Sequence, residues 1–148
     1  MSAFNRTSDD LTGKERIELA RLYFREAEQA LDDAEYNAER SPKLAVSRAY
    51  YAEFHAASAL LATRGIVRKK HKGVISAFGD EFIRHGLLPG DLGTVINIMQ
   101  EARIRADYHV EETFSPSEVR DLLDKAKRFV DETRMALEKI DPEIFKTR

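Results

Sequence analysis

Cysteine is absent from the 148 residues. That removes a disulfide framework, cysteine-ligated zinc and a thiol nucleophile from consideration. Glycine (7) and proline (4) are few, and they fall between periodic segments rather than inside them, the distribution of helices joined by short loops. No apolar run approaches a membrane span. The opening residues, MSAFNRTSDD, lack the apolar stretch of a signal peptide, so a soluble, cytoplasmic chain is the expectation. An excess of either charge is also missing: 24 Lys and Arg against 26 Asp and Glu leave a net charge of -2. Contact with nucleic acid would therefore need a local patch rather than a global field. No long segment alternates with period two, so no strand is expected.

What is present is helical periodicity. Residues 1–10 are polar and expected to fray. Thr12 and Glu15 are spaced as a capping box. Ile17, Ala20, Phe24, Ala27, Leu31, Ala34 and Ala38 then mark one stripe of a first helix ending near Arg40. Four of these are alanine, so a neighbouring helix can approach closely. Ser41 and Pro42 are spaced as an N-cap and first helical residue. The second helix, residues 44–63, is apolar on most sides and needs cover from the bundle or from another chain. A third helix is expected over residues 71–85, stopped by Gly86, and a fourth begins after Asp91 with Leu92, Val95, Ile96, Met99, Ala102 and Ala106 inward. Ser115, Pro116 and Glu118 signal the start of a fifth, carrying Val119, Leu122, Leu123, Ala126, Phe129, Val130, Thr133 and Leu137. The expectation is an all-α protein: an up-and-down bundle of about five helices in one domain over residues 1–148.

Candidate chemistry is sparse. A di-iron bundle needs two inward Glu-x-x-His pairs, and the sequence has none, so neither a metal centre nor a cofactor is expected. Between Glu53 and Asp80 there is no acid, while Arg64, Arg68, Lys69, Lys70 and Lys72 cluster there. A solvated loop and a phosphate-attracting, RNA-binding patch both fit that run. His55 on the apolar second helix reads as a core or interface histidine satisfied by a hydrogen bond. His71 reads as a cap or brace of the third helix, and His85 as a cation near a helix C-terminus. His109 closes a denser run in which Arg103, Arg105, Asp107, Tyr108 and His109 fall within seven residues. Arg103 and Asp107 share a helical face, as do Arg105 and His109. By spacing alone, this run also reads as a helix end with ordinary ion pairs.

The wider context adds to it. SRAYYAEFHAA at residues 47–57, HKGV at residues 71–74, Arg103 followed by Ala106, Asp107 and Tyr108, then Phe114 and a last helix with Ala126, Phe129 and Val130 resemble one prokaryotic subfamily of HEPN domains (higher eukaryotes and prokaryotes nucleotide-binding). The resemblance runs from about Leu11 to Leu137. It implies a homodimer of helical bundles in which the family's hallmark, Arg then four to six residues then His, is supplied here by Arg103 and His109 and converges from both chains in one cleft. Many such proteins cut RNA without metal, some as toxins paired with a small nucleotidyltransferase antitoxin; others bind nucleotides or partners without catalysis. Arg105, Asp107 and Tyr108 would support the pair. Arg48, Tyr51 and His55, spaced by three, four and seven, could line the same cleft.

The residues suit the chemistry. RNA carries its own nucleophile, the 2′-hydroxyl. A neutral His109 can take its proton and a second His109 can protonate the leaving oxygen, while Arg103 holds the phosphate. On an unbroken helix, positions 103 and 109 would lie about 120° apart around the axis, so either the helix unwinds before His109 or a partner completes the site. Ile104 follows the motif Arg where active relatives usually carry a polar residue, and Glu111 and Glu112 bring negative charge beside it. These departures fit a second reading, a catalytically inactive dimeric module that binds a nucleotide or a protein. A purely structural helical oligomer is a third.

Overall fold

The computed structural model describes residues 11–146. The expected fraying of residues 1–10 lies outside them. Five α-helices form the described chain: α1 (Gly13–Asn37), α2 (Pro42–Ala62), α3 (His71–Phe78), α4 (Leu92–Tyr108) and α5 (Pro116–Ile140). No strand occurs among the described residues, and no helix is long and apolar enough to cross a membrane.

Helix starts and stops follow local chemistry. The Thr12 hydroxyl accepts from the Glu15 amide at 3.1 Å, and the Glu15 carboxylate accepts from the Thr12 amide at 3.2 Å, a complete capping box. Ser115 likewise accepts from the Glu118 amide at 3.1 Å. The reciprocal half of that box is missing, because the Glu118 carboxylate is engaged by Arg105. Ser41 and Asp91 occupy N-cap positions without a side-chain cap bond; the Asp91 carboxylate turns instead to Arg128. Gly65 and Gly86 both have positive φ, 72° and 70°. Each closes a Schellman turn: Ile66 N–H to Leu61 O with Gly65 N–H to Ala62 O, and Leu87 N–H to Phe82 O with Gly86 N–H to Ile83 O.

The third helix differs from expectation. Regular α geometry covers only His71–Phe78, and Gly79–Ile83 continues as one π-helical turn. That turn keeps Phe78 and Phe82 both buried, their rings 6.3 Å apart. Side-chain burial here outweighs the poorer backbone geometry of a π turn; burying an aromatic ring is worth about 1.5–3 kcal/mol.

Helix α2 is the centre of the bundle. Thirteen of its residues are buried, and it packs against all four other helices. Its alanines meet the small face of α1, where Ala20, Ala27, Ala30 and Ala34 have no exposed surface. Leu19 joins that face, whereas Ile17 and Leu31 lie at its margin. At one end of α2, Leu60 and Leu61 pack with Phe24, Phe78, Phe82 and Phe129. At the other, Ala45, Val46, Ala49 and Tyr50 pack with Met99, Ala102, Ala106 and Leu123. This second cluster supports the last turns of α4, where the Arg103–His109 run lies.

Candidate active site

Arg103 is set by sequence into the buried stripe of α4. It follows Ala102 and precedes Ala106 by three, so its stem is drawn toward α2 and only 8% of the residue is exposed. A guanidinium so placed needs compensation. Aromatic faces supply part of it: its Cζ lies 5.1 Å from the Tyr50 ring centroid and 5.8 Å from that of Tyr108. Asp107 Oδ2 approaches Nη1 at 3.7 Å. The Arg103 Nε is buried and has no hydrogen-bond acceptor among the described residues.

Beyond Tyr108 the helix stops. His109 has φ -115° and ψ 91°, extended backbone, and its amide makes the last helical bond, to Arg105 O at 3.2 Å. The imidazole is half exposed, with Nδ1 at 3.5 Å from Glu111 Oε1. Helical geometry therefore ends at His109 itself, the C-cap of α4. The unwound segment is held from α2. Lys43 Nζ donates to the carbonyls of His109 and Val110, 3.0 Å each. Ser47 Oγ lies 3.5 Å from Asp107 Oδ2.

Tyr50 is fully buried below Arg103. Its hydroxyl lies 2.7 Å from His71 Nδ1, and burial pushes its phenol up to about 12, with Arg103 opposing. From Tyr50 an aromatic row continues through His71, Tyr51, Phe54 and His55, with centroids 4.6–6.2 Å apart. Arg48 closes the far end, its Cζ 5.4 Å from the Tyr51 ring. Burial holds both His55 and His71 below the ordinary histidine range, and Arg103 adds to the effect at His71.

The other candidate residues divide clearly. Arg48, Tyr51 and His55 belong to this row. The Nδ1 of His55 is buried without a hydrogen-bond partner among the described residues. Arg105 turns to a different set of partners. It reaches Glu118 at 3.0 Å and Glu112 at 3.3 Å and covers the Phe114 ring at 4.6 Å, which ties α4 to α5 and to the loop between them. Arg64 is likewise engaged, with Glu81 at 2.8 Å and the Phe82 ring at 4.6 Å. Arg68, Lys69, Lys70 and Lys72 are exposed and line a surface hollow of about 430 Å³ with Gly73 and Ser76. His71 begins α3 directly after Lys70, so the basic segment and the aromatic row are continuous in the chain. Lys43, Ser47 and the His71 contact were missed by sequence reasoning. Their signal was the i, i+4, i+7 spacing of Lys43, Ser47 and Tyr50, which places all three on one face of α2.

Comparison with known proteins agrees with this architecture. The family model of the HEPN domain matches residues 20–136, and the chain belongs to that family. Over 128 residues it is 37% identical to a "UPF0332 protein" of Thermotoga maritima, covering 85% of this chain and 93% of the relative. It is 36% identical over 131 residues to "Putative toxin MJ0142" of Methanocaldococcus jannaschii, covering 82% and 89%. "Putative toxin MJ0605" of the same organism is 40% identical over 96 residues, covering 65% and 71%.

Proposed function

We propose that this chain is a HEPN endoribonuclease that needs no metal, and the toxin component of a toxin–antitoxin pair, working at a site shared by two copies. The observation that carries this reading is Arg103. It is a nearly buried guanidinium with an unpaired Nε donor, within cation–π distance of two tyrosine rings, nearly two turns before the helix ends at His109. A buried donor without an acceptor is costly in isolation, about 1–3 kcal/mol. A phosphodiester oxygen is an acceptor of the right charge. Two relatives bear toxin names, which supports the biological half.

In the proposed step, the 2′-oxygen attacks the adjacent phosphorus and its proton passes to His109. The bond to the 5′-oxygen breaks, and that oxygen takes a proton from His109 of the second copy. The products are a 2′,3′-cyclic phosphate and a 5′-hydroxyl. Arg103 offsets charge growing on the phosphoryl oxygens. Exposed apolar side chains near the site support the two-copy arrangement: Ile98, Ile104, Tyr108 and Val110 all face outward on or after α4. Arg68, Lys69, Lys70 and Lys72 extend the anion-attracting surface along the strand, and a nucleotidyltransferase-type protein is the proposed antitoxin.

The test is cleavage of single-stranded RNA in the presence of EDTA. The wild type cuts, and Arg103→Ala and His109→Ala do not while retaining their melting temperatures. Equal cutting by all three assigns the activity to a contaminant or to another site. The Ile104 side chain and the Glu111 contact to His109 favour one alternative, an inactive nucleotide- or partner-binding dimer. That protein would be stabilised by a nucleotide without turning it over.

A further inference from the structure

Nothing in the Arg-to-His motif accounts for His71, which reaches the site from a different helix. Its ring is packed against three aromatic faces: Phe54 at 4.6 Å, Tyr50 at 5.5 Å and Tyr51 at 5.7 Å. Its Nδ1 meets the Tyr50 hydroxyl at 2.7 Å. The protonation of this contact follows from its surroundings. Tyr50 keeps its proton at neutral pH, since burial raises its phenol to about 12. The buried hydroxyl needs an acceptor for that proton. Arg103, over the ring, has donors only, so His71 Nδ1 is the acceptor. Neutral His71 must then carry its own proton on Nε2. The Tyr50 oxygen keeps lone pairs on the side of Arg103, whose guanidinium lies over the ring.

We propose that His71 is a positioning residue for Arg103, acting through the hydroxyl and ring of Tyr50. The inference rests on the reading of Arg103 as the phosphate-binding group. Its physical content is a chain of fixed orientations. His71 fixes the rotation of the Tyr50 hydroxyl, and the locked ring holds the guanidinium plane at the cleft. Because His71 follows Lys70, the same link ties the basic segment to Arg103.

A protonated His71 has no lone pair on Nδ1, so the link fails in acid. The groups facing His71 are Arg103 from α4, and Tyr50, Tyr51 and His55 from α2, with Lys70 and Lys72 flanking it in the chain. None is an acid that would oppose loss of the proton. Burial first, and Arg103 second, hold His71 below the ordinary histidine range, so the link is intact at neutral pH.

The experiment uses the full chain, labelled with nitrogen-15, and three variants: His71→Asn, His71→Leu and Tyr50→Phe. Asparagine places an acceptor near the Nδ1 position but does not titrate. In the wild type, the imidazole shifts should report the Nε2–H form. The Arg103 Nε–H resonance should move in His71→Leu and Tyr50→Phe and stay near its wild-type position in His71→Asn. In RNA cleavage, His71→Leu and Tyr50→Phe should lose about 10- to 100-fold in kcat with little change in KM. His71→Asn should retain neutral-pH activity and lose the acid-side fall contributed by His71. Melting curves identify any variant that fails to fold, and Tyr50→Phe serves if His71→Leu does. An Nδ1–H tautomer, or an Arg103 resonance indifferent to His71→Leu, overturns the proposal. If the wild type cuts no RNA, the nuclease reading falls alone, and the Arg103 resonance still decides whether His71 positions it.

Discussion

The Lys43 ammonium is joined to the carbonyl of His109 at 3.0 Å, across 66 residues of sequence. With its second bond, to Val110, it fixes the path of the chain just where α4 ends. The contact is exposed, so its contribution to global stability is small, about 0–1 kcal/mol. Its local effect is larger. Lys43→Ala should leave the melting temperature nearly unchanged, yet speed amide hydrogen exchange around residues 109–112. RNA cleavage should fall about tenfold or more, because a displaced imidazole is a poor base. Unchanged exchange in that segment would show that the loop is held by other means.

Stability should carry a signature of Glu53. Its carboxyl is fully buried in α2, and neither oxygen has a hydrogen-bond partner among the described residues. Burial holds it well above the usual carboxylate range, opposed only in part by Lys125. A folded-state value raised above the unfolded one means that the folded chain binds the extra proton. The associated stability is complete below the unfolded value of about 4.3 and is lost as pH rises toward and through the folded value. Glu53→Gln removes this dependence. It should be more stable than the wild type at pH 8 by about 1–3 kcal/mol, with the gain vanishing near pH 4. Urea denaturation across that range measures it; parallel pH profiles for the two proteins would contradict the assignment.

Two glycines should respond oppositely to alanine. At Gly65 the backbone has φ 72°, and an added Cβ would sit 2.7 Å from the Arg16 guanidinium. Strain and displacement of Arg16 should cost about 1–3 kcal/mol in Gly65→Ala. Gly79 lies within helical backbone, and an added Cβ there meets nothing within 4 Å. Gly79→Ala should be neutral or stabilising by about 0.5–1 kcal/mol. Thermal melts of the pair decide it, and a Gly65→Ala variant as stable as the wild type would mean that the Gly65 turn relaxes freely.

Association can be tested on α4. Ile104 and Tyr108 are 39% and 70% exposed, one turn apart. If they meet a second copy, Ile104→Glu should shift sedimentation from dimer to monomer without lowering helicity. A wild-type monomer at micromolar concentration would remove the shared-site arrangement from the proposed function.

The bundle was legible in the sequence because its signals are local. Thr12 with Glu15, Ser115 with Pro116, and the glycines at 65 and 86 mark ends by chemistry within a few residues. The stripe of α5 was readable in full, since every one of its eight inward positions is buried. Harder to see were features set by competition between distant groups. Glu118 leaves its capping box for Arg105, and Asp91 leaves its cap for Arg128. The third helix widens into a π turn to keep Phe82 inside. At the site, Arg103 and His109 stood out by type and spacing. Arg105 stood out equally, and its contacts with Glu112, Glu118 and the Phe114 ring are not legible from spacing along one helix. His71 was hidden because its meaning depends on Tyr50, which lies 21 residues away and looks from sequence like core filling.

The clamp on residues 109 and 110 grips peptide oxygens rather than side chains. It is therefore blind to which amino acids stand there. Val110, with 90% of its surface open to water, can be exchanged for almost anything without loosening the hold, and so can the imidazole beside it. On the proposed function, a lineage could lose the imidazole at position 109 and keep the loop in place. Chemistry and architecture would then be separable in this scaffold, and a silent descendant would look, in outline, like a cutting one.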